Sequence, residues 1–209
     1  MLQVDELLEL SEMPSWSEIS LKLYRDFANK YLIPTCFWYY LANGKVLEIH
    51  FTEWGIYHML GIQHINGKIS NINFFKCIEE GLDFTDFTRK NGMRKRFYDM
   101  KHRIRSFACV YQIMKNKDIF YVPNNTVPKT SIIVAYIKYG LIDGKGVNIG
   151  IRKMDGKYIP YTVLIDRSSH SSSTIDKLVS VKINKLEIYR NGKMIEKIVH
   201  NWFGNCKRF

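Results

Sequence analysis

The apolar pattern of this chain changes period near residue 120, and that switch limits the folds open to it. Upstream, residues 93–116 place Phe97, Met100, Ile104, Phe107, Ala108, Tyr111 and Met114 on one arc of a helical wheel. Downstream, SIIVAYIKYG (131–140), GVNIGIRKM (146–154), YIPYTVLIDR (158–167) and KLVSVKINKLEIY (177–189) alternate with a period of two, as strands do. Asp143-Gly144 and Asp155-Gly156 separate the first three runs, and Asn191-Gly192 follows the last. Such pairs supply the positive φ angles of tight hairpin turns.

The first half is read in the same way. SWSEISLKLYRDFANKY (15–31) carries Ile19, Leu23, Phe27 and Tyr31 at helical spacing, with Ser15 and Glu18 in a capping-box pattern. Two β-rich runs, near 35–42 and 45–51, flank Asn43-Gly44, a signal for a two-residue hairpin. Thr52-Glu53 opens a helix to about residue 62, and a short helix at 71–80 ends at Gly81. The expected class is α+β: a helical N-terminal half with an early β-hairpin, then a mostly antiparallel sheet. Residues 1–30 are read as an acidic, helical segment and 31–209 as one α+β domain.

With 46% hydrophobic and 14% aromatic residues in 209, the chain can bury a core. No apolar run approaches the roughly 20 residues that span a bilayer. The acidic N-terminus does not read as a secretory signal, so a cytoplasmic, membrane-free protein is expected. Cys36, Cys77, Cys109 and Cys206 are scattered, which argues against a disulfide framework or a structural zinc site.

The net charge of +11 is unevenly spread. Residues 1–30 hold six acids against three bases, whereas 89–117 hold ten bases. A local field of that sign suits a polyanion such as nucleic acid. Arg94, Lys101 and Arg105 share one flank of the 93–116 arc, and Arg96 and Arg103 the other. Arg94, Lys101, Arg105, Arg152 and Arg167 are the candidate nucleic-acid contacts. A solvated basic surface is the plainer reading of the same residues.

Phosphate-loop, dinucleotide-binding and serine-nucleophile motifs are absent, and GLIDGKG (140–146) reads as a hairpin turn. His58 and His64 lie six apart, off one helical face, and no HExxH occurs, so no metal ligands and no cofactor are assigned. Metal-free RNA cleavage, by contrast, needs a base for the 2′-hydroxyl proton, an acid for the leaving 5′-oxygen and cations for the phosphorane. Histidine suits the proton transfers and arginine the phosphate oxygens.

Several motifs then point one way. FWYYLANGKVLEIHF is an aromatic-rich hairpin, followed at once by Tyr57-His58-Met59-Leu60-Gly61. KHRIRSF puts an Arg-Ile pair in the long helix, and GVNIGIRK precedes YIPYTVLID with its aromatic-x-Pro-x-Thr order. Over roughly residues 31–170 this arrangement resembles the phage-associated (PBECR-type, fourth group) branch of the barnase/EndoU/colicin/RelE-like nucleases. The resemblance implies a BECR-like fold and an endoribonuclease of toxin, phage or mobile-element conflict type. RNA, tRNA included, would be its substrate, and an antitoxin or immunity protein its partner. It makes His58 the proton carrier and Arg103 the phosphate ligand. Thr162 follows Pro160, which suggests an edge or bulge that re-aims a site hydroxyl. His170, in the serine loop SSHSSST, is the candidate second proton carrier. Each has a structural reading beside it: a buried histidine, a snorkelling or ion-paired arginine, a plain strand threonine. Tyr161, by its alternation, is expected in the core, His102 on the surface and Lys138 at a solvated strand end. The rival function is a non-catalytic basic nucleic-acid binder or phage-encoded inhibitor.

Overall fold

A computed structural model describes residues 1–116, 119–122, 134–166 and 178–200. Helices occupy the first half: α1 (Leu21–Phe27), α2 (Glu53–Leu60), α3 (Ile62–Ile65), α4 (Phe74–Glu79), α5 (Phe84–Arg89), α6 (Asn91–Phe107) and α7 (Val110–Lys115). The strands are β1 (Thr35–Leu41), β2 (Val46–His50), β3 (Ile119–Val122), β4 (Tyr136–Ile142), β5 (Lys145–Met154), β6 (Lys157–Ile165), β7 (Val179–Arg190) and β8 (Lys193–Val199). The α+β class holds.

The sheet departs from the expected mostly antiparallel meander. Its order is β1-β2-β6-β5-β4-β3-β7-β8, and β7 also pairs with β1, so seven strands close into a barrel with β8 added outside the ring. The sheet is mixed, because β2 runs parallel to β6 through Ile49 and Tyr158. A meander read from consecutive turns cannot show this junction, since α2 to α7 intervene between the two strands. β7 makes the closure: Val179–Lys182 pair with β3, and Ile183–Arg190 pair with β1.

Asp143-Gly144, Asp155-Gly156 and Asn191-Gly192 form the expected hairpins, both residues of each pair having φ between 47° and 82°. Asn43-Gly44 does not follow them. Only Gly44 takes a positive φ, and its N–H donates to the Leu41 carbonyl at 3.0 Å. The loop is therefore one residue longer than a two-residue turn, which shifts the β1–β2 register.

The predicted 15–31 helix begins later. Ser15 closes a 3₁₀ turn with Glu18, whose Oε2 accepts the Ser15 N–H at 2.7 Å. Ser20 caps α1 instead, accepting from the Leu23 N–H at 3.0 Å. The single helix expected at 93–116 breaks at Ala108–Cys109 into α6 and α7. Its apolar arc is still the core face, with Ile104, Phe107, Ala108 and Met114 fully buried. Phe37 of β1 packs its ring 5.7 Å from Tyr111, and the Tyr39 hydroxyl donates to the Met114 carbonyl. α3, α5 and β3, unassigned from sequence, are short elements of four to six residues.

The first 30 residues share this core. Leu7 is fully buried, and the Arg105 guanidinium donates to the Pro14 carbonyl at 2.6 Å and the Met13 carbonyl at 3.2 Å. Lys138 corrects the expectation of a solvated strand end. It is buried, its ammonium 5.3 Å from the Phe120 ring centre and 5.8 Å from that of Tyr39.

Candidate active site

The site is built where α2 and α6 meet β6. Thr52 caps α2, its hydroxyl accepting the Gly55 N–H at 3.0 Å. Gly55 lets the helix touch the strand: a Cβ there would stand 2.5 Å from the Pro160 carbonyl oxygen. The helix ends at Gly61, whose φ of 75° reverses the chain. That reversal turns the last carbonyls of α2 towards α6, with the His58 carbonyl accepting the Gly61 N–H at 3.1 Å and still open to a second donor.

Arg103 of α6 fills that gap. Its Nε donates to the Met59 carbonyl at 2.6 Å, and its Nη2 to the His58 carbonyl and to the Thr162 hydroxyl, the latter at 3.0 Å. Nη1 makes no hydrogen bond to a described residue. A cation at a helix C-terminus complements the dipole there. Burial lowers the Arg103 pKa to about 10, offset in part by Tyr161, so the guanidinium stays charged at neutral pH.

Thr162 reaches Arg103 because β6 is bulged. Gly150 pairs with Thr162 and Ile151 with Pro160, which leaves Tyr161 as the extra residue. Tyr161 and Thr162 thus both reach the helical side. Thr162 is buried on Arg103, and Tyr161, half-exposed, lies against His58 with ring centres 4.4 Å apart. This corrects the expectation that Tyr161 packs in the core, which assumed unbroken alternation through Pro160.

The His58 ring is enclosed by aromatics, with Trp54 at 4.8 Å and Tyr57 at 5.2 Å between centres. Its Nδ1 is buried and has no hydrogen-bond partner among the described residues. Burial, reinforced by the positive charge of Arg103 and with smaller effects of His64 and Arg152, pushes the imidazole down to about 4. His58 is therefore neutral at pH 7, the state of a proton acceptor. Arg152 is exposed and lies over the Tyr161 ring, 5.6 Å from its centre.

His58, Arg103 and Thr162 thus converge, and Arg152 stands beside them. Arg94 and Lys101 are exposed on α6, Arg94 over the Tyr98 ring. Arg105 is half-buried on the N-terminal carbonyls, which occupies donors that a phosphate would use. Arg167 and His170 lie outside the described residues. His64 is exposed in α3, and His102 is half-buried rather than on the surface. Tyr161 is the residue that sequence reading missed, although Pro160 within a strand run signalled the bulge that presents it.

A family model matches residues 19–198 of the chain, described as phage-Barnase-EndoU-ColicinE5/D-RelE like nuclease4. No curated protein and no solved structure matches it.

Proposed function

The chain belongs to this nuclease family, and from that premise we propose that it is a metal-independent endoribonuclease. The observation that carries the reading is the convergence on Arg103, which bonds the His58 carbonyl and the Thr162 hydroxyl while Nη1 is left over for a phosphate oxygen. Neutral His58 takes the proton of a ribose 2′-hydroxyl. That oxygen attacks the adjacent phosphorus, and the bond from phosphorus to the 5′-oxygen breaks. Arg103 offsets the phosphorane charge, and Thr162 orients an oxygen beside it. His170 is the proposed donor of a proton to the leaving 5′-oxygen. Trp54 and Tyr161 offer ring faces for bases, and Arg152, Arg94 and Lys101 contact the backbone.

Among the described residues no helix is long and apolar enough to cross a membrane. The phage origin in the family description supports a toxin or mobile-element conflict role, with an antitoxin or immunity partner as part of the same proposal.

The test is cleavage of total RNA in EDTA by wild type and His58→Ala. Cleavage by wild type alone, leaving 2′,3′-cyclic phosphate ends, with RNA binding retained in the variant, is the expected result. Salt-sensitive RNA binding by both proteins without cleavage by either would overturn it in favour of a binding or inhibitor protein.

A further inference from the structure

We propose that Cys36, Glu48 and His50 form a binding site for a divalent transition-metal ion, zinc being the best chemical match, separate from the His58 cluster. The three residues come from the β1–β2 hairpin. Cys36 stands directly opposite His50 and Trp38 opposite Glu48, so Cys36, Glu48 and His50 project from one face. The intervening residues of the same strands, Phe37 and Ile49, are fully buried on the other face.

The donor atoms converge. Cys36 Sγ is 3.5 Å from His50 Nε2 and 3.9 Å from Glu48 Oε1, and His50 Nε2 is 2.7 Å from Glu48 Oε1. A tetrahedral zinc with ordinary bond lengths holds such atoms about 3.3–3.6 Å apart. The two sulfur separations already lie near that range. The shortest separation is a hydrogen bond, which coordination would replace after opening by about half an ångström.

The chemistry is balanced as well. A thiolate, a carboxylate and a neutral imidazole neutralise a doubly charged ion, and this mixed soft and borderline set suits zinc better than calcium or magnesium. Coordination releases the thiol proton to solvent, and His50 binds through Nε2 as the neutral tautomer that carries its one ring proton on Nδ1. The site is reachable, since the side chains of His50 and Glu48 are 27% and 44% exposed. It opens on a cleft of about 480 Å³ that Pro34, Trp38, Tyr40 and Tyr189 help to line. None of the residues lining that cleft belongs to the His58 cluster. Three protein ligands beside a cleft leave the fourth position for water or a further ligand, the pattern of an open rather than a closed zinc site.

The experiment titrates chelator-treated full-length protein with zinc by calorimetry and with cobalt by absorption. One ion per chain is expected, with a thiolate-to-cobalt charge-transfer band. The band is lost in Cys36→Ser and kept in Cys77→Ser and Cys206→Ser, and His50→Ala weakens binding roughly tenfold or more. X-ray absorption of the zinc-loaded wild type, which does not depend on any variant folding, should show one sulfur with nitrogen and oxygen neighbours. No saturable binding, a band indifferent to Cys36→Ser, or a shell without sulfur would overturn the site. Since cleavage is tested in EDTA, neither result decides the other.

Discussion

His50 and His58 lie eight residues apart on either side of the Thr52 cap, and their surroundings have opposite sign. His50 ends β2 with a carboxylate and a thiol against one nitrogen. His58, on the next helix, is flanked by aromatic rings and by the charges of Arg103 and Arg152. The first setting attracts a cation and repels a phosphate. The second penalises a proton on the ring and draws an anion. The same side chain is thus fitted to two chemistries by what stands beside it. The difference rests on secondary structure: a strand pair lines up Cys36, Glu48 and His50 on one face, whereas a helix end opens its carbonyls to an arginine.

Arg103 is where that contrast breaks most completely. Arg103→Ala removes three hydrogen bonds, taking the guanidinium from the Met59 carbonyl and the Thr162 hydroxyl and leaving the His58 carbonyl with the Gly61 N–H alone. The expected cost is about 3–5 kcal/mol of stability, with roughly a thousandfold loss of cleavage rate in the folded protein. Arg103→Lys keeps the charge but cannot span a fork of three acceptors, so it should recover stability in part and rate hardly at all. Urea melts and single-turnover cleavage below the melting range check both. A folded Arg103→Lys protein that cleaves at the wild-type rate would reduce Arg103 to a brace.

The depressed pKa of His58 gives the next effect. An ordinary histidine titrates near 6.5, and this one near 4 in the folded state. Between those values the unfolded chain binds the proton that the fold excludes, so stability is full above about pH 6.5 and falls as the pH drops towards 4. With the ring partly exposed, the loss attributable to His58 is about 1–3 kcal/mol. Carboxylates titrate in the same window, so the informative quantity is the difference from His58→Gln. The variant should lose less stability between pH 7.5 and 4.5, read from urea midpoints. Parallel losses would mean that the cationic setting does not reach the ring. Cleavage has a second lever, because a phosphate on Arg103 screens its charge and raises the His58 pKa back towards its ordinary value.

How these sites could be read from sequence differs for one physical reason, register. Thr52-Glu53 marked where the helix carrying the aromatic-His-Met-Leu-Gly run begins, because an N-cap is written in adjacent residues, whereas its stop at Gly61 came a residue or two before the expected end near 62. The Arg103 arc followed from a 3.6 period that survives the break at Ala108. The Cys36–Glu48–His50 cluster did not follow. A two-residue turn at Asn43-Gly44 would pair Cys36 with Phe51, whereas the longer loop pairs it with His50. One residue of slip changes which side chains face each other. The Tyr161 bulge is the same kind of event, signalled by Pro160 but not fixed by it. The barrel closure and the parallel β2–β6 junction depend on contacts between segments more than a hundred residues apart, which no local period encodes.

The smallest effect tests whether the field around His58 is placed or diffuse. Arg152 lies over Tyr161, against the ring that covers His58, whereas Arg94 sits on the exposed side of α6 over Tyr98. Removing either takes one positive charge from the same protein. Should the charge act only through the overall excess of bases, the two alanine variants will bind RNA equally weakly. If position matters, Arg152→Ala should lose about three- to tenfold in affinity for single-stranded RNA and about 0.7 in the slope of log K against log salt. Arg94→Ala should lose less of both. The rate at saturating RNA should stay near wild type in Arg152→Ala, because a backbone contact away from the reacting phosphate stabilises substrate and transition state alike. Equal losses in the two variants would show that long-range charge, not the arrangement around His58, brings RNA to this face.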